Sequence, residues 1–169
     1  MLRLLLMRHS KAESGSESGS DHQRGLSARG WKDGRLMGAA LLARNVRPDA
    51  VLCSTARRTR ETLECIREAI TPKAEIRFVD ALYRADDYLP IIAAEGGAAS
   101  TLLVIGHNPS IHRTALSLVP DLSGRIGRSL SASFPTSAIA VFDHPDAWPT
   151  IGPGSAELRD FMLPEGRAH

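Results

Sequence analysis

Leu2-Arg3-Leu4-Leu5-Leu6-Met7-Arg8-His9 begins as a nearly continuous apolar run and stops abruptly at a cation and an imidazole. A half-solvated strand would alternate apolar and polar residues, so this run reads as a strand at Leu2–Met7 covered on both faces, as in a parallel sheet. The following segments predict what covers it. Ser27 is a good N-cap for a helix running to about Asn45, with Met37, Ala40 and Leu41 at helical spacing and Pro48 beyond its end. A strand at Ala50–Cys53 precedes a second helix that begins near Thr55 and ends before Pro72. Thr59, Thr62, Leu63, Ile66, Ala69 and Ile70 mark its buried face. Glu75–Val79 reads as a strand and Asp86–Ala94 as a short helix stopped by Gly96 and Gly97. Thr101–Ile105 is another uninterrupted apolar strand, followed by a helix with Asn108 as N-cap, Pro109 at its first position and Ile111, Ala115, Leu118 and Val119 inside. Asp121–Pro135 reads mostly as loop, Ser137–Phe142 as a strand and Ala156–Met162 as an edge strand.

Strands alternating with helices predict one α/β domain over residues 1–169, a three-layer sandwich with a mostly parallel central sheet and helices on both faces. With 169 residues, 43% of them hydrophobic, the chain can bury a sizeable core. Lys and Arg number 21 against 19 Asp and Glu, giving a formal charge of +2, too small to suggest general nucleic-acid binding. No stretch approaches the roughly 18 apolar residues of a membrane span, and Met1–Met7 is shorter than a signal-peptide core. Cys53 and Cys65 form no metal-spaced or redox pair. A cytoplasmic protein without metal or cofactor is the expectation.

Sheets of this kind bind ligands at the carboxyl ends of their strands. Arg8 and His9 follow the first strand directly, and His107 directly follows Thr101–Ile105, so both imidazoles are expected on one rim. Arg58 in the first turn of the second helix and Arg24 in the long loop after the first strand add cations, with Arg57 competing for the place of Arg58.

Leu5-Leu6-Met7-Arg8-His9 resembles the opening of the histidine phosphatase superfamily, in which a strand ends in Arg-His and usually Gly; Ser10 stands in that last place here. Ser54 to Arg58 has the family's serine-to-arginine spacing, and Gly106-His107-Asn108-Pro109 matches the second histidine after a late strand. Arg24-Gly25-Leu26-Ser27 and Thr136-Ser137-Ala138 resemble the phosphohistidine phosphatase group related to bacterial SixA. The resemblance implies a phosphoglycerate-mutase-like fold, His9 as nucleophile, Arg8, Arg58 and His107 around the phosphoryl group, and Arg24 and Ser137 at the substrate. It implies a phosphorylated protein as partner, such as a histidine phosphotransfer domain, or a small phosphorylated substrate, with phosphate in the pocket.

These residue types suit the chemistry. A phosphoryl group in flight spreads charge over its equatorial oxygens and needs rigid cationic donors, for which arginine forks are well shaped. A neutral imidazole can attack phosphorus and split one displacement into two. Larger members of the superfamily supply a Glu or Asp for the leaving group; the matching place here holds Tyr83, with Asp80 the nearest candidate acid and Asp86 and Asp87 close in sequence. A site without a strong acid favours phosphoramidates or activated esters.

Other residues have ordinary readings. Ser10–Gln23 is a Ser/Gly-rich surface loop; His22, His144 and His169 read as surface residues; His112 lies five positions from His107, on a different helix face. Ser27, Ser54 and Thr62 read equally well as caps and helix-surface residues, and the cysteines as packing residues. Phosphohistidine hydrolysis leads, with small-molecule phosphomonoester hydrolysis and phosphate binding without turnover as alternatives.

Overall fold

A computed structural model describes residues 1–164, and His169 lies outside them. The first strand, β1 (Leu2–Arg8), sits inside a six-stranded sheet. After it come α1 (Ala28–Ala43), β2 (Ala50–Cys53), α2 (Arg57–Cys65), β3 (Glu75–Phe78), α3 (Ala81–Arg84), α4 (Leu89–Glu95), β4 (Thr101–Gly106), α5 (Ser110–Leu118), α6 (Arg125–Ala132), β5 (Ile139–His144) and β6 (Glu157–Met162). The strand order is β3-β2-β4-β1-β5-β6. The first four strands in that row are parallel, whereas β5 runs antiparallel to β1 and β6 antiparallel to β5.

Side chains alternate across a strand, so the β1 run feeds two cores. Leu4 and Leu6 pack with Leu82, Tyr88, Ile92, Ile111 and Leu130 on the face of α3 to α6. Leu5 and Met7 pack with Met37, Leu41, Leu63 and Ile66 on the face of α1 and α2. All four β1 side chains are fully buried, which is why the stretch carries no polar alternation.

Most predicted elements form within a residue or two, but α2 stops at Cys65 and gives way to a 3-10 turn at Arg67–Ala69, and the helix expected at Asp86–Ala94 starts at Leu89, with α3 before it. Ser27 caps α1 by accepting from Gly30 N at 3.1 Å. Three further expectations are corrected. Asp121–Pro135 is not mostly loop: α6 forms there, held by Ile126 and Leu130 one turn apart, a stripe too short to show among its Ser, Gly and Arg neighbours. Asn108 does not cap α5; its Nδ2 donates to Phe134 O at 3.0 Å, and the helix starts at Ser110. His144 is a buried residue, with Nδ1 3.0 Å from Ser155 O and Nε2 3.1 Å from Thr150 Oγ1, its ring stacked beside Trp148.

Register positions the site. Arg8 pairs with Gly106 and Cys53 with Ile105, so the residues immediately after β1, β2 and β4 come out side by side on one rim. Among the described residues no helix is long and apolar enough to cross a membrane.

Candidate active site

Hydrogen bonds at the end of β1 fix His9. Its N–H donates to Gly106 O at 3.1 Å, and Ser137 N–H lies 3.2 Å from both Arg8 O and His9 O. The ring Nδ1–H donates to Ser10 O at 2.7 Å, which leaves the lone pair on Nε2. Burial pushes the imidazole down to about 3, with the charges of His107, Arg58 and Arg8 adding to the shift and the Ser10 carbonyl opposing it. His9 is therefore neutral near pH 7, the form a nucleophile requires.

Ser10, where the resemblance leads one to expect glycine, is fully buried and tied on both sides. Its N–H donates to Thr62 Oγ1 at 2.9 Å, and Ser137 Oγ donates to its Oγ at 2.7 Å. Ser137 adopts φ +69°, and this bond together with those to Arg8 and His9 holds the left-handed backbone in place. Ser137 is thus a buried support for the His9 loop.

His107 lies beside His9, ring centroids 5.4 Å apart. Its N–H donates to Tyr88 OH at 3.0 Å, and that buried hydroxyl donates to Leu82 O. Ser54 Oγ lies 2.7 Å from His107 Nε2 and accepts from Ala56 N at 3.3 Å. We assign the Nδ1–H tautomer to His107, with Ser54 donating to Nε2, because the buried Nδ1 has no partner and is then free to donate to an incoming oxygen. Burial first, then the charge of Arg58, depresses this imidazole to about 4, while Asp21 opposes the shift.

Of the two arginines that open α2, Arg58 enters the site. It is buried, and its Nη1 and Nη2 donate to Asp21 O at 3.0 Å and Asp21 Oδ2 at 3.2 Å. Arg57, about 100° round the helix, turns to Glu61. Arg8 donates from Nη1 to Phe134 O at 3.1 Å. Its pKa is lowered, chiefly by burial and then by Arg58, a sign that the two guanidinium groups are drawn together. The Nε atoms of Arg8 and Arg58 are buried without partners, as is His107 Nδ1. Unmet buried donors are costly, and since the charges of His107, Arg58 and Arg8 all act on His9, an oxyanion beside His9 would offset that cost.

The remaining predicted residues are engaged elsewhere. Arg24 donates from Nε to Asp21 Oδ1 at 2.9 Å and from Nη1 to Glu13 O at 2.8 Å, touching neither imidazole. Asp80 is paired, accepting from Arg84 at 2.9 Å and Thr55 at 2.8 Å, and these bonds hold its carboxyl below its ordinary range. The thiols of Cys53 and Cys65 are pushed up to about 12 and about 11 by burial, so neither is a nucleophile near pH 7.

Sequence reasoning misses Asp21, His22 and the role of Tyr83. Tyr83 OH donates to Asp21 Oδ2 at 2.7 Å, and its ring meets His107 edge-on at 5.5 Å and His22 at 4.8 Å. His22 donates from Nε2 to Thr55 Oγ1 at 2.9 Å, Thr55 in turn donating to Asp80. Asp21–Gln23 forms a 3-10 turn against α2, so the last part of the Ser10–Gln23 loop belongs to the site wall. The Tyr83 hydrogen bond first, then Arg24 and the charge of Arg58, hold the Asp21 carboxyl far below its ordinary range. No local signal in the Ser/Gly-rich segment marks it.

The model of the histidine phosphatase superfamily (branch 1) matches residues 4–87, the span that carries Arg8, His9 and Arg58. An uncharacterized protein of Mycobacterium tuberculosis is 36% identical over 162 residues, covering 94% of this chain and 99% of that protein. A solved structure assigned as phosphohistidine phosphatase SixA of Nakamurella multipartitia is 34% identical with a TM-score of 0.85, covering 98% of this chain and 97% of its own. The chain belongs to the histidine phosphatase superfamily. Another structure, assigned as SixA of Agrobacterium tumefaciens, is 30% identical with a TM-score of 0.79, covering 96% of this chain and 97% of its own. The phosphoglycerate-mutase-like fold is therefore shown, and this histidine phosphatase is SixA-like over nearly its whole described length.

Proposed function

We propose that this chain is a metal-independent phosphatase that removes phosphate from a protein phosphohistidine through a phospho-His9 intermediate. One observation carries the reading: a neutral imidazole with Nδ1–H anchored on Ser10 O lies beside the His107 ring and feels the charges of Arg58 and Arg8, each of these three residues having a buried nitrogen without a partner.

In the first step His9 Nε2 forms a bond to phosphorus while the bond to the leaving group breaks, its electron pair departing with that group. His9 keeps its Nδ1 proton, now shared with Ser10 O, as a phosphoimidazolium. Arg8, Arg58 and His107 take the charge of the equatorial oxygens. In the second step water attacks phosphorus, the P–N bond breaks back to Nε2, and the water proton leaves with phosphate or solvent.

The acids near the site favour a nitrogen leaving group. Asp80 and Asp21 are both held ionised, and the Tyr83 phenol is donated to Asp21. An alkoxide needs a proton as it leaves, whereas a phosphoimidazole already protonated on its second nitrogen leaves as neutral imidazole. The SixA assignments of the two structures above support the same substrate class. Only α3 and α4, short helices, separate β3 from β4, so no added lobe stands over this part of the rim. A cytoplasmic location and a single-domain organisation are part of this reading, as is Arg24 swinging from Asp21 to bound phosphate.

The test is rapid-quench turnover of a histidine-phosphorylated phosphotransfer domain in EDTA, with p-nitrophenyl phosphate and sugar phosphates alongside. Wild type should pass through a phosphorylated enzyme that His9→Ala never forms, and should favour the phosphoprotein by orders of magnitude. Phosphate binding without turnover would end the enzyme reading, and equal turnover of sugar phosphates would end the protein-substrate reading.

A further inference from the structure

On the rim beside the site, Phe78 at the C-terminal end of β3 is 50% exposed. It lines a groove of about 480 Å³ together with Gln23, Arg57, Arg60, Glu61 and Glu64. The exposure has a local cause. β3 is the edge strand, and the first turns of α2 offer charged side chains at this end of the sheet instead of an apolar cover.

The groove and the catalytic cluster share their dividing wall. Arg57 lines the groove, while Arg58, the next residue, enters the site. Gln23 lines the groove, while Asp21 in the same 3-10 turn bonds Arg58 and Tyr83. A macromolecule presenting a phosphoryl group to His9 would reach Phe78 with the part of its surface that crosses this wall.

The groove is lined by two arginines and two glutamates, and both carboxylates are already engaged. Glu61 is occupied by Leu26 N at 2.8 Å and by Arg57 at 3.5 Å, and Glu64 by Arg67 at 2.7 Å. Arg60 is exposed and forms no ion pair among the described residues. An apolar ring beside an uncompensated guanidinium fits a protein surface that offers an apolar side chain and a carboxylate together.

We propose that this groove is the docking surface for the protein substrate, with Phe78 receiving an apolar side chain and Arg60 an acidic one from the surface around the phosphohistidine. The inference rests on the proposed phosphoprotein reading and adds where that protein is held. Docking of this kind contributes to capture of the whole protein and leaves chemistry on small substrates unaffected, because neither residue touches the catalytic cluster.

Phe78→Ser and Arg60→Glu, singly and combined, are assayed on three substrates: a phosphotransfer domain phosphorylated on histidine, free phosphohistidine and p-nitrophenyl phosphate. For the domain, kcat/KM should fall at least roughly tenfold in each single variant, mostly through KM. The two small substrates should be turned over at wild-type rates, which also shows the variants are folded. Raising salt from 50 to 500 mM should weaken capture of the domain by wild type more than by Arg60→Glu. Unchanged kcat/KM for the domain in both variants would overturn the docking surface alone. A wild-type enzyme that hydrolyses p-nitrophenyl phosphate but not the phosphorylated domain would overturn the protein-substrate reading and the groove with it.

Discussion

Acid should destabilise this protein through the two imidazoles that perform its chemistry. In the folded chain His9 is depressed to about 3 and His107 to about 4, against an ordinary value of 6.5, both chiefly by burial. Below pH 6.5 the unfolded chain therefore binds protons that the folded chain refuses, and stability rises with pH through that window. The contribution is complete above about pH 7.5 and is lost as pH falls from 6.5 towards the folded values. At pH 5 the loss is about 2 kcal/mol for each imidazole, about 4 kcal/mol together, a large share of a small domain's stability. Urea unfolding of wild type and of His9→Gln/His107→Gln, in phosphate-free buffers from pH 7.5 to 5, checks this. Acidification should cost the double variant about 4 kcal/mol less than wild type. If the two proteins lose equal stability, the imidazoles are not held neutral by the fold, and the case for a ready nucleophile fails.

Two further outcomes follow from the supports of His107. Ser54→Ala removes the hydroxyl 2.7 Å from Nε2 that fixes the tautomer, and kcat should fall roughly a hundredfold, as for the loss of one transition-state donor. Nitrogen NMR of the ring should show mixed tautomers, and a wild-type kcat would refute the assignment. Gly106→Ala would place a Cβ 2.6 Å from the buried Tyr88 ring and from its hydroxyl, which accepts from His107 N and donates to Leu82 O. Overpacking there should cost about 1–3 kcal/mol in thermal unfolding and lower kcat as well; unchanged stability would show that the ring has room to move.

Legibility in the sequence followed the range of the interactions involved. The fully buried strands β1 and β4 announce themselves as apolar runs, and residues that directly follow such strands inherit a known position on the rim. The rim position of Arg8, His9 and His107 was readable for that reason, whereas the resemblance offered Arg58 with Arg57 still competing. Asp21 and Tyr83 were not readable as partners, being 62 residues apart and joined only by a hydrogen bond between a loop turn and a short helix. Nor could α6 be read, because two apolar residues one turn apart do not make a recognisable stripe until the sheet buries them.

By itself the sequence determined the layered α/β architecture, the strand-end imidazoles and a charge composition without a strong bias. Tertiary structure alone decided that Arg58 rather than Arg57 enters the site, that Arg24 rests on Asp21, and that Asp80 is spent on Arg84. The reason is physical. Burial periodicity is local and written along the chain, whereas the partner of a guanidinium or carboxylate depends on which distant backbone segments the sheet brings within about 3 Å of it.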